Sequence, residues 1–371
     1  MFNLRDFYNM VLVLVLFSLL LILGLIENYL HQFNLRKLKY RILVNGTRGK
    51  TTVSRIIVNA LNANGIKTIG RTTGSEACIV LPDNSSEPFK RRREARITEM
   101  ISFARFCKKN SAECIVVECM ALIPENQKIF ANKLIRPTHT VITNSYVDHI
   151  PEMGSTIEST MWALSNSIYK DTKLFVSENE YADIYSNCCL ISDEFKEYDN
   201  LPVNRQSINL AYSLLKDFGL AKEEVLIAAE SIVKDVGLHD RVTVCSGAEF
   251  YPYFSVNDFY SMRNLISTLS SDRKINLIFN NRADREYRIC QFEKALYENI
   301  DRIDKVYLIG DFPKKVARYC NHYCKANYVC VSTSEMISLI ENDCSNSIYL
   351  GLGNIKGPGE EIVRYFIKED K

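Results

Sequence analysis

The stretch "LVNGTRGKTT", residues 43–52, decides the fold. It carries the glycines, lysine and threonine of a phosphate-binding loop at an unusual spacing. The common pattern places a first glycine five positions before the Gly of Gly-Lys-Thr. Val44 occupies that position here, and the glycines are Gly46 and Gly49. The flanks give the loop its context. "YRILV" (40–44) is short, apolar and β-branched, as a buried strand is. "KTTVSRIIVNALNANG" (50–65) puts Val53, Ile56, Ile57, Ala60 and Leu61 on one helical face, with Gly65 where a helix ends. Strand, glycine-rich turn and helix in that order aim backbone N–H groups and a positive helix end at an anion. Lys50 adds a mobile charge and Thr51 a hydroxyl for a metal ion. The competing reading is a plain strand-to-helix turn.

Working outward, "AECIVVEC" (112–119), "PTHTVITN" (137–144) and "TKLFVSE" (172–178) read as strands separated by helical patterns. Helical stretches follow near 204–218 and 222–236. The pattern restarts around "GLHDRVTV" (237–244). Strand-like runs then recur at "INLIFNN" (275–281), "DKVYLIG" (304–310), "NYVCVST" (327–333) and "NSIYLGLGN" (346–354). The expected fold is α/β: a P-loop-type, mainly parallel sheet domain, then a smaller C-terminal α/β domain. Residues 39–238 form the expected nucleotide-binding domain and 239–371 the second.

Residues 1–38 read as a membrane anchor. From Met10 to Ile26 seventeen residues carry no charge, and the span extends over about 10–30. A cleaved signal peptide fits less well: Arg5 is offset by Asp6 and no small-x-small site follows. Arg36, Lys37, Lys39 and Arg41 lie after the span, which places the remainder on the cytoplasmic side of the plasma membrane. A nucleotide site beginning near residue 45 needs that side. The remaining bulk properties are those of a globular protein: 371 residues, 47% apolar, 24% charged and net charge +2. That balance gives no case for a nucleic-acid partner. The twelve cysteines suit a reducing compartment. "CNHYC" (320–324), with Cys330 nearby, lacks the paired spacing of a zinc ribbon and reads as partly buried thiols.

Four polar clusters follow strands or precede helices: Lys50-Thr51-Thr52, "RTTGS" (71–75), Glu118 and "TNSYVDH" (143–149). Ligands of open parallel sheets sit at the carboxyl ends of strands. Glu118, ending an apolar strand, is a natural Mg²⁺ ligand beside a phosphate loop. Singly, each has a structural reading: Glu118 as a carboxylate pairing with an amide, Thr72 and Thr73 as turn caps, His149 at the surface. Together they describe a metal–nucleotide site.

Gly46-Thr47-Arg48-Gly49-Lys50-Thr51 resembles the Gly-Thr-x-Gly-Lys-Thr/Ser loop of the Mur ligase superfamily. The match continues in order through Thr72-Thr73-Gly74, Glu118, and Thr143-Asn144 with Asp148-His149. The Arg in the loop, "VVECMALIPENQ" (116–127), "NNRADREYRICQF" (280–292) and "GLGNIKGPGEEIVRYF" (351–366) are similar to the ligase-subunit family of poly-γ-glutamate synthases. So is the N-terminal span followed by basic residues, and the resemblance covers essentially the whole chain.

The resemblance implies an ATP-dependent ligase. It would activate a glutamate γ-carboxylate as an acyl phosphate and join it to the amine of another glutamate, building capsule polymer. It implies ATP and Mg²⁺ as cofactors. Gly46, Thr47, Arg48, Gly49, Lys50, Thr51 and Thr52 would hold the nucleotide, with Lys50 on the β- and γ-phosphates. Thr51 and Glu118 would bind one Mg²⁺, Thr72 or Thr73 helping, and His149 a second. Lys50, Glu118 and His149 are the implied catalytic residues. Asn281, Arg282, Asp284 and Arg285 would complete the nucleotide site from the second domain, with Asn257 and Asp258 of "SVNDFYS" (255–261) as further candidates. Implied partners are glutamate, the growing polymer and small membrane subunits.

Two features depart from the superfamily. Leu164 stands near the place of its carbamylated lysine, and the next lysines are Lys170 and Lys173. A separate N-terminal substrate domain is not evident. "FKRRREAR" (89–96) either binds acidic polymer or phosphate or is a solvated basic loop. The rival functions are a wall-precursor or folylpolyglutamate-type ligase, and a non-catalytic, nucleotide-regulated scaffold for polymer export.

Overall fold

The computed structural model describes residues 4–73, 77–89, 95–198, 203–232, 242–244, 247–269, 273, 275–345 and 347–369. The chain divides into two compact units, residues 1–232 and 233–371. The expected junction at 238/239 lies outside the described residues, as do Gly74, Ser75 and residues 90–94 of the basic run.

In the first unit the strands are β1 (Tyr40–Asn45), β2 (Thr68–Thr72), β3 (Cys78–Val80), β4 (Ser86–Pro88), β5 (Cys114–Glu118), β6 (His139–Ile142), β7 (Lys173–Val176) and β8 (Cys188–Leu190). They form one sheet in the order β4-β3-β2-β5-β1-β6-β7-β8. The pairings from β2 to β8 are parallel, and β3 and β4 are added antiparallel at one edge. β1 is central and covered on both faces, so its sequence is a continuous apolar run rather than an alternation. Ile42 and Val44 pack with Val53, Ile56, Ile57, Ala60 and Leu61 of the Lys50–Ala63 helix. Leu43, one residue out of phase, packs on the opposite face with Phe103 and Phe130.

An N-terminal helix, Leu4–Arg36, is long and apolar enough to cross a membrane. Its side chains from Phe7 to Leu30 are exposed. The end of the helix is instead built into the first unit. His31, Leu35 and Leu38 are buried, His31 Nε2 donates to the Leu134 carbonyl at 3.0 Å, and Gln32 Nε2 donates to the Lys133 carbonyl at 3.0 Å. Arg41 fastens the exit of the helix by donating to the carbonyls of Leu38 and Arg136, both at 2.8 Å.

The second unit has β9 (Val242–Thr243), β10 (Glu249–Tyr251), β11 (Ile275–Asn281), β12 (Ile303–Gly310), β13 (Tyr328–Cys330) and β14 (Ile348–Leu352), in the order β13-β12-β11-β14-β10-β9. Only β9 runs antiparallel to its neighbour. Leu277 and Phe279 of β11 face one layer of helices, where Phe279 stacks on Phe292 at 4.1 Å between ring centres. Ile278 faces the other layer.

The eight strands read from apolar runs are present, and both sheets are mainly parallel. The short strands β2, β3, β4, β8, β9 and β10 were not read. β4 is Ser-Glu-Pro and fully exposed, so it offers no apolar periodicity. β2 contains Arg71, an apparent surface residue that is in fact 0% exposed, paired with Glu99 and lying over the Phe89 ring. Cys320 and Cys324 are buried, Cys330 is exposed, and the described cysteines are free thiols. Among the described residues no group of three or more His, Cys, Asp or Glu side chains is arranged to hold a metal.

Candidate functional site

The site is built on the carboxyl end of β1. From Asn45 the chain turns through Gly46–Gly49 into the Lys50–Ala63 helix, and both glycines have positive φ, 121° and 79°. A β-carbon on Gly46 would collide with the Thr143 hydroxyl and lie 2.8 Å from the Thr143 nitrogen. The loop therefore runs against the end of β6, and that approach explains why a glycine stands at this variant position.

Asn144 clamps the loop. Its side-chain oxygen accepts from Thr47 Oγ1 at 2.7 Å and from the Arg48 amide at 3.0 Å, and its Nδ2 donates to the Arg48 carbonyl at 3.1 Å. The Thr47 amide donates to the Asn144 carbonyl at 3.1 Å. Arg48 reaches Asp148, which is 5% exposed, at 3.0 Å. Beneath the loop, Asn45 Nδ2 donates to Gln127 Oε1 at 2.8 Å and to Ser167 Oγ at 2.9 Å. The "PENQ" segment is thus part of the loop's foundation.

Lys50 opens the helix and folds back over the loop, donating to the carbonyls of Gly46 (2.5 Å) and Thr47 (3.3 Å). Burial lowers its pKa, with Glu118 pulling the other way. Glu118 ends β5 and is 1% exposed. Its Oε2 accepts from the Thr73 amide at 2.9 Å and the Thr73 hydroxyl at 2.8 Å. Its Oε1 is buried with no hydrogen-bond partner among the described residues, as are the hydroxyls of Thr72 and Thr143. Burial raises the Glu118 pKa, opposed by Thr73, Lys50 and the Thr51 hydroxyl. A buried carboxylate oxygen without a partner is costly. Carboxylate and hydroxyl oxygens with unused acceptor capacity fit a hard divalent cation. Gly49 is the exposed cap of the helix and Thr52 lies half-buried in its first turn.

His149 sits in the left-handed region, φ 50°, a costly conformation for a residue with a β-carbon. Its amide donates to Asp148 Oδ1 at 2.9 Å, and its Nε2 is 3.9 Å from Asp148 Oδ2. Asp148 thus links the loop, through Arg48, to His149. The structure brings Lys50, Thr51, Thr73 and Glu118 into one group and Arg48, Asp148 and His149 into another, both anchored on the same loop. Lys173 lies elsewhere: it opens β7 at the sheet's amino edge, pairing with Asp217 at 2.6 Å. Lys170 is in the turn leading to that edge. Leu164 is buried.

In the second unit three segments meet at the carboxyl ends of β11 and β14. Asn280 Nδ2 donates to the carbonyls of Asn354 and Lys356, and Asn354 Nδ2 returns to the Asn280 carbonyl at 2.9 Å. The Gly353 amide donates to the Val256 carbonyl at 2.9 Å. Asn281 Nδ2 donates to the Asp311 carbonyl at 2.7 Å. Arg282 pairs with Asp284 at 2.8 Å, and Arg285 Nε lies 3.7 Å from the same carboxylate. Glu286 pairs instead with Lys315 at 2.9 Å. Asp258 is buried and caps the Phe259–Leu269 helix by accepting from the Ser261 amide at 2.9 Å. Asn257 is buried and donates to the Ser255 carbonyl.

The sequence reading missed Asn45, Gln127, Asn280, Asn354 and Arg288, which donates to Asn354 Oδ1. Asn45, Asn280 and Asn354 share a signal that was available: a polar residue at or just beyond the end of an apolar strand.

Residues 243–369 match the family described as poly-gamma-glutamate synthase CapB C-terminal domain. The chain is 28% identical over 380 residues to PGA synthase CapB of Bacillus subtilis (strain 168), covering 95% of this chain and 96% of that one. Among solved structures it resembles MurF from Acinetobacter baumannii, with TM-score 0.67, 15% identity and coverage of 93% and 80%. It also resembles the bifunctional folylpolyglutamate synthase/dihydrofolate synthase from Yersinia pestis complexed with AMPPNP and Mn ion, with TM-score 0.66, 12% identity and coverage of 93% and 92%. Over 95% of its length the chain is similar in sequence to PGA synthase CapB, residues 243–369 match the CapB C-terminal domain, and its fold is that of the Mur ligases.

Proposed function

We propose that this chain joins the γ-carboxylate of one glutamate to the amine of another, using ATP and a divalent cation, and so builds poly-γ-glutamate. Similarity to PGA synthase CapB along 95% of the chain, and the match of residues 243–369 to the CapB C-terminal domain, support an ATP-dependent amide ligase of capsule synthesis. The observation that carries the reading is Glu118 Oε1, buried without a partner among the described residues, on a carboxylate that also feels Lys50 and the Thr51 hydroxyl.

Bound ATP supplies the phosphoryl group that makes the carboxylate an electrophile, and the cation neutralises triphosphate charge. The chain's residues bind and orient these groups. The Thr47 and Arg48 amides are held by Asn144, and the first-turn amides of the Lys50–Ala63 helix, those of Lys50, Thr51 and Thr52, take phosphate oxygens. Lys50 exchanges the Gly46 and Thr47 carbonyls for the β- and γ-phosphates. Glu118 and the Thr51 hydroxyl hold one cation, supported by Thr72 or Thr73, and His149 holds a second. Asn281, Arg282, Asp284 and Arg285 of the second unit are proposed nucleotide-binding residues on the resemblance alone. The amine of the second glutamate then displaces phosphate and loses a proton.

The N-terminal helix is the proposed anchor in the plasma membrane, with both units cytoplasmic. Tyr8 and Tyr29, both exposed, bracket its apolar run. At 1.5 Å per residue they stand roughly 30 Å apart, the thickness of a bilayer's hydrocarbon core, with aromatic rings at each interface. Small membrane subunits of the synthase are proposed partners, on the resemblance alone.

The test is incubation of membranes carrying the protein with ATP, labelled glutamate and either Mg²⁺ or Mn²⁺. The expected result is glutamate-dependent ADP release and a long γ-linked product. Absence of glutamate-dependent ADP release overturns the ligase reading. A product extended by single residues on another acceptor moves it to a folylpolyglutamate-type ligase.

A further inference from the structure

We propose that the first unit seats on the bilayer through a collar of lysines that binds anionic phospholipid headgroups. This rests on the reading of the N-terminal helix as a membrane anchor. In that reading Tyr29 marks the cytoplasmic boundary of the hydrocarbon. Phe33 lies about one turn further, roughly 6 Å along the axis. The headgroup zone adds about 5–8 Å beyond the hydrocarbon on each side. Residues 31–33 therefore lie at the level of the headgroups. At this level the helix does not run into a free linker, because His31 and Gln32 are already hydrogen-bonded to the carbonyls of Leu134 and Lys133.

Cations from three elements distant in sequence gather there. Phe33 is 41% exposed, with Lys108 Nζ 4.5 Å and Lys37 Nζ 5.5 Å from its ring centre. Lys37 lies beyond the end of the N-terminal helix, yet its amine reaches back to the level of Phe33. Lys108 and Lys109 form the basic last turn of the Glu99–Lys109 helix. Lys133 belongs to the Phe130–Ile135 turn against which Gln32 is bonded. All four lysines are exposed. Glu27, one turn before His31 on the helix, is the nearby acid in the same segment. Compact ammonium groups on flexible stems suit phosphodiester oxygens. Their attraction to a negative surface extends over about a Debye length, roughly 8–10 Å at physiological salt, which spans the headgroup zone. A zwitterionic surface gives no such net attraction.

The test uses the full chain in bilayers with spin-labelled phosphatidylglycerol or phosphatidylcholine, reading the motionally restricted fraction by electron paramagnetic resonance. In low salt the association of phosphatidylglycerol should exceed that of phosphatidylcholine by roughly three- to tenfold, and 0.5 M salt, added as a deliberate screen, should reduce the excess. The variant Lys37→Gln/Lys108→Gln/Lys109→Gln/Lys133→Gln should lose the preference. Lys109→Gln/Lys133→Gln leaves both contacts to Phe33 intact, so it keeps the test valid if the larger variant misfolds, and it should lose a substantial part of the preference. Equal restriction of the two lipids by the wild type overturns the collar while leaving the anchor standing. No restricted lipid of either kind overturns the anchor and the collar together. Loss of the preference on adding soluble poly-γ-glutamate at constant ionic strength would assign the lysines to the polymer and overturn the lipid reading.

Discussion

Glu118 is a carboxylate held where its charge is least solvated, and the proton and a cation compete for Oε1. Burial raises its pKa above the ordinary value near 4.3. The apo carboxyl therefore keeps its proton to higher pH than a free glutamate does. Cation affinity should fall as pH is lowered through that raised value. The sign for stability is the opposite: burial of Glu118 costs the apo fold increasingly as pH rises from the unfolded to the folded pKa, and costs nothing below both. Glu118→Gln should abolish the acid loss of cation binding and leave the apo protein no less stable. Loss even of an outer partner shifts metal affinity about 10- to 100-fold, so the divalent requirement should rise at least roughly tenfold. Titration of ADP release against Mg²⁺ at several pH values checks this, and a wild-type-like curve for the variant would remove Glu118 from the cation site. Lys50→Ala should cost on the order of 10²–10³ in turnover with an unchanged melting temperature, as loss of one preorganised charge in a dry site does. Normal ATP consumption by the folded variant would sink the phosphate-loop assignment. Lys50 and Glu118 were legible because each sits where a strand or turn boundary is marked by a change from apolar to polar residues. The partnerless oxygen was not legible, since it depends on Thr73 arriving from another strand and occupying only one side of the carboxylate.

At the scale of elements, the loop is ordered by β6 as much as by its own glycines. Asn144→Ala removes three side-chain hydrogen bonds to the loop, each worth about 1 kcal/mol net. The variant should lose roughly 2–3 kcal/mol of stability and bind ATP more weakly, measured by denaturant melts and the KM for ATP. An unchanged KM would show that the loop holds its form without the clamp. "TNSYVDH" was legible as a polar strand end, but its partner was not, because 96 positions separate Asn144 from Arg48. Arg282 tests the other unit. Its pair with Asp284 is exposed, the acid 56% so, and such pairs contribute about 0–1 kcal/mol. A phosphate or carboxylate can displace that acid at little cost. Arg282→Lys should thus melt within about 1 kcal/mol of wild type yet lose roughly tenfold or more in activity, because lysine lacks the two-point fork. A near-normal rate would leave Arg282 as a surface ion pair.

For the whole molecule, two sheets and an apolar helix followed from period and length, the signals that sequence carries most directly. The helix's seat on the first unit did not, because it is made by side chains that look ordinary in a basic juxtamembrane stretch. That seat gives the last prediction. Residues 7–30 expose their side chains, so removing 1–29 deletes no buried side chain among the described residues. Removing 1–38 deletes Leu35 and Leu38, 2% and 1% exposed, and the His31 bond to Leu134, and it strips Arg41 of the Leu38 carbonyl. Each buried leucine is worth about 1.5–3 kcal/mol. The longer deletion should therefore cost roughly 3–6 kcal/mol, a large part of the 5–15 kcal/mol that holds a typical domain. Urea unfolding of the two truncated chains, both freed of the apolar run, makes the comparison. The chain beginning at Leu30 should unfold cooperatively at a clearly higher midpoint than the chain beginning at Lys39. Equal midpoints would mean that the helix end merely rests on the first unit, and the site would then be free to move relative to the membrane that the helix enters.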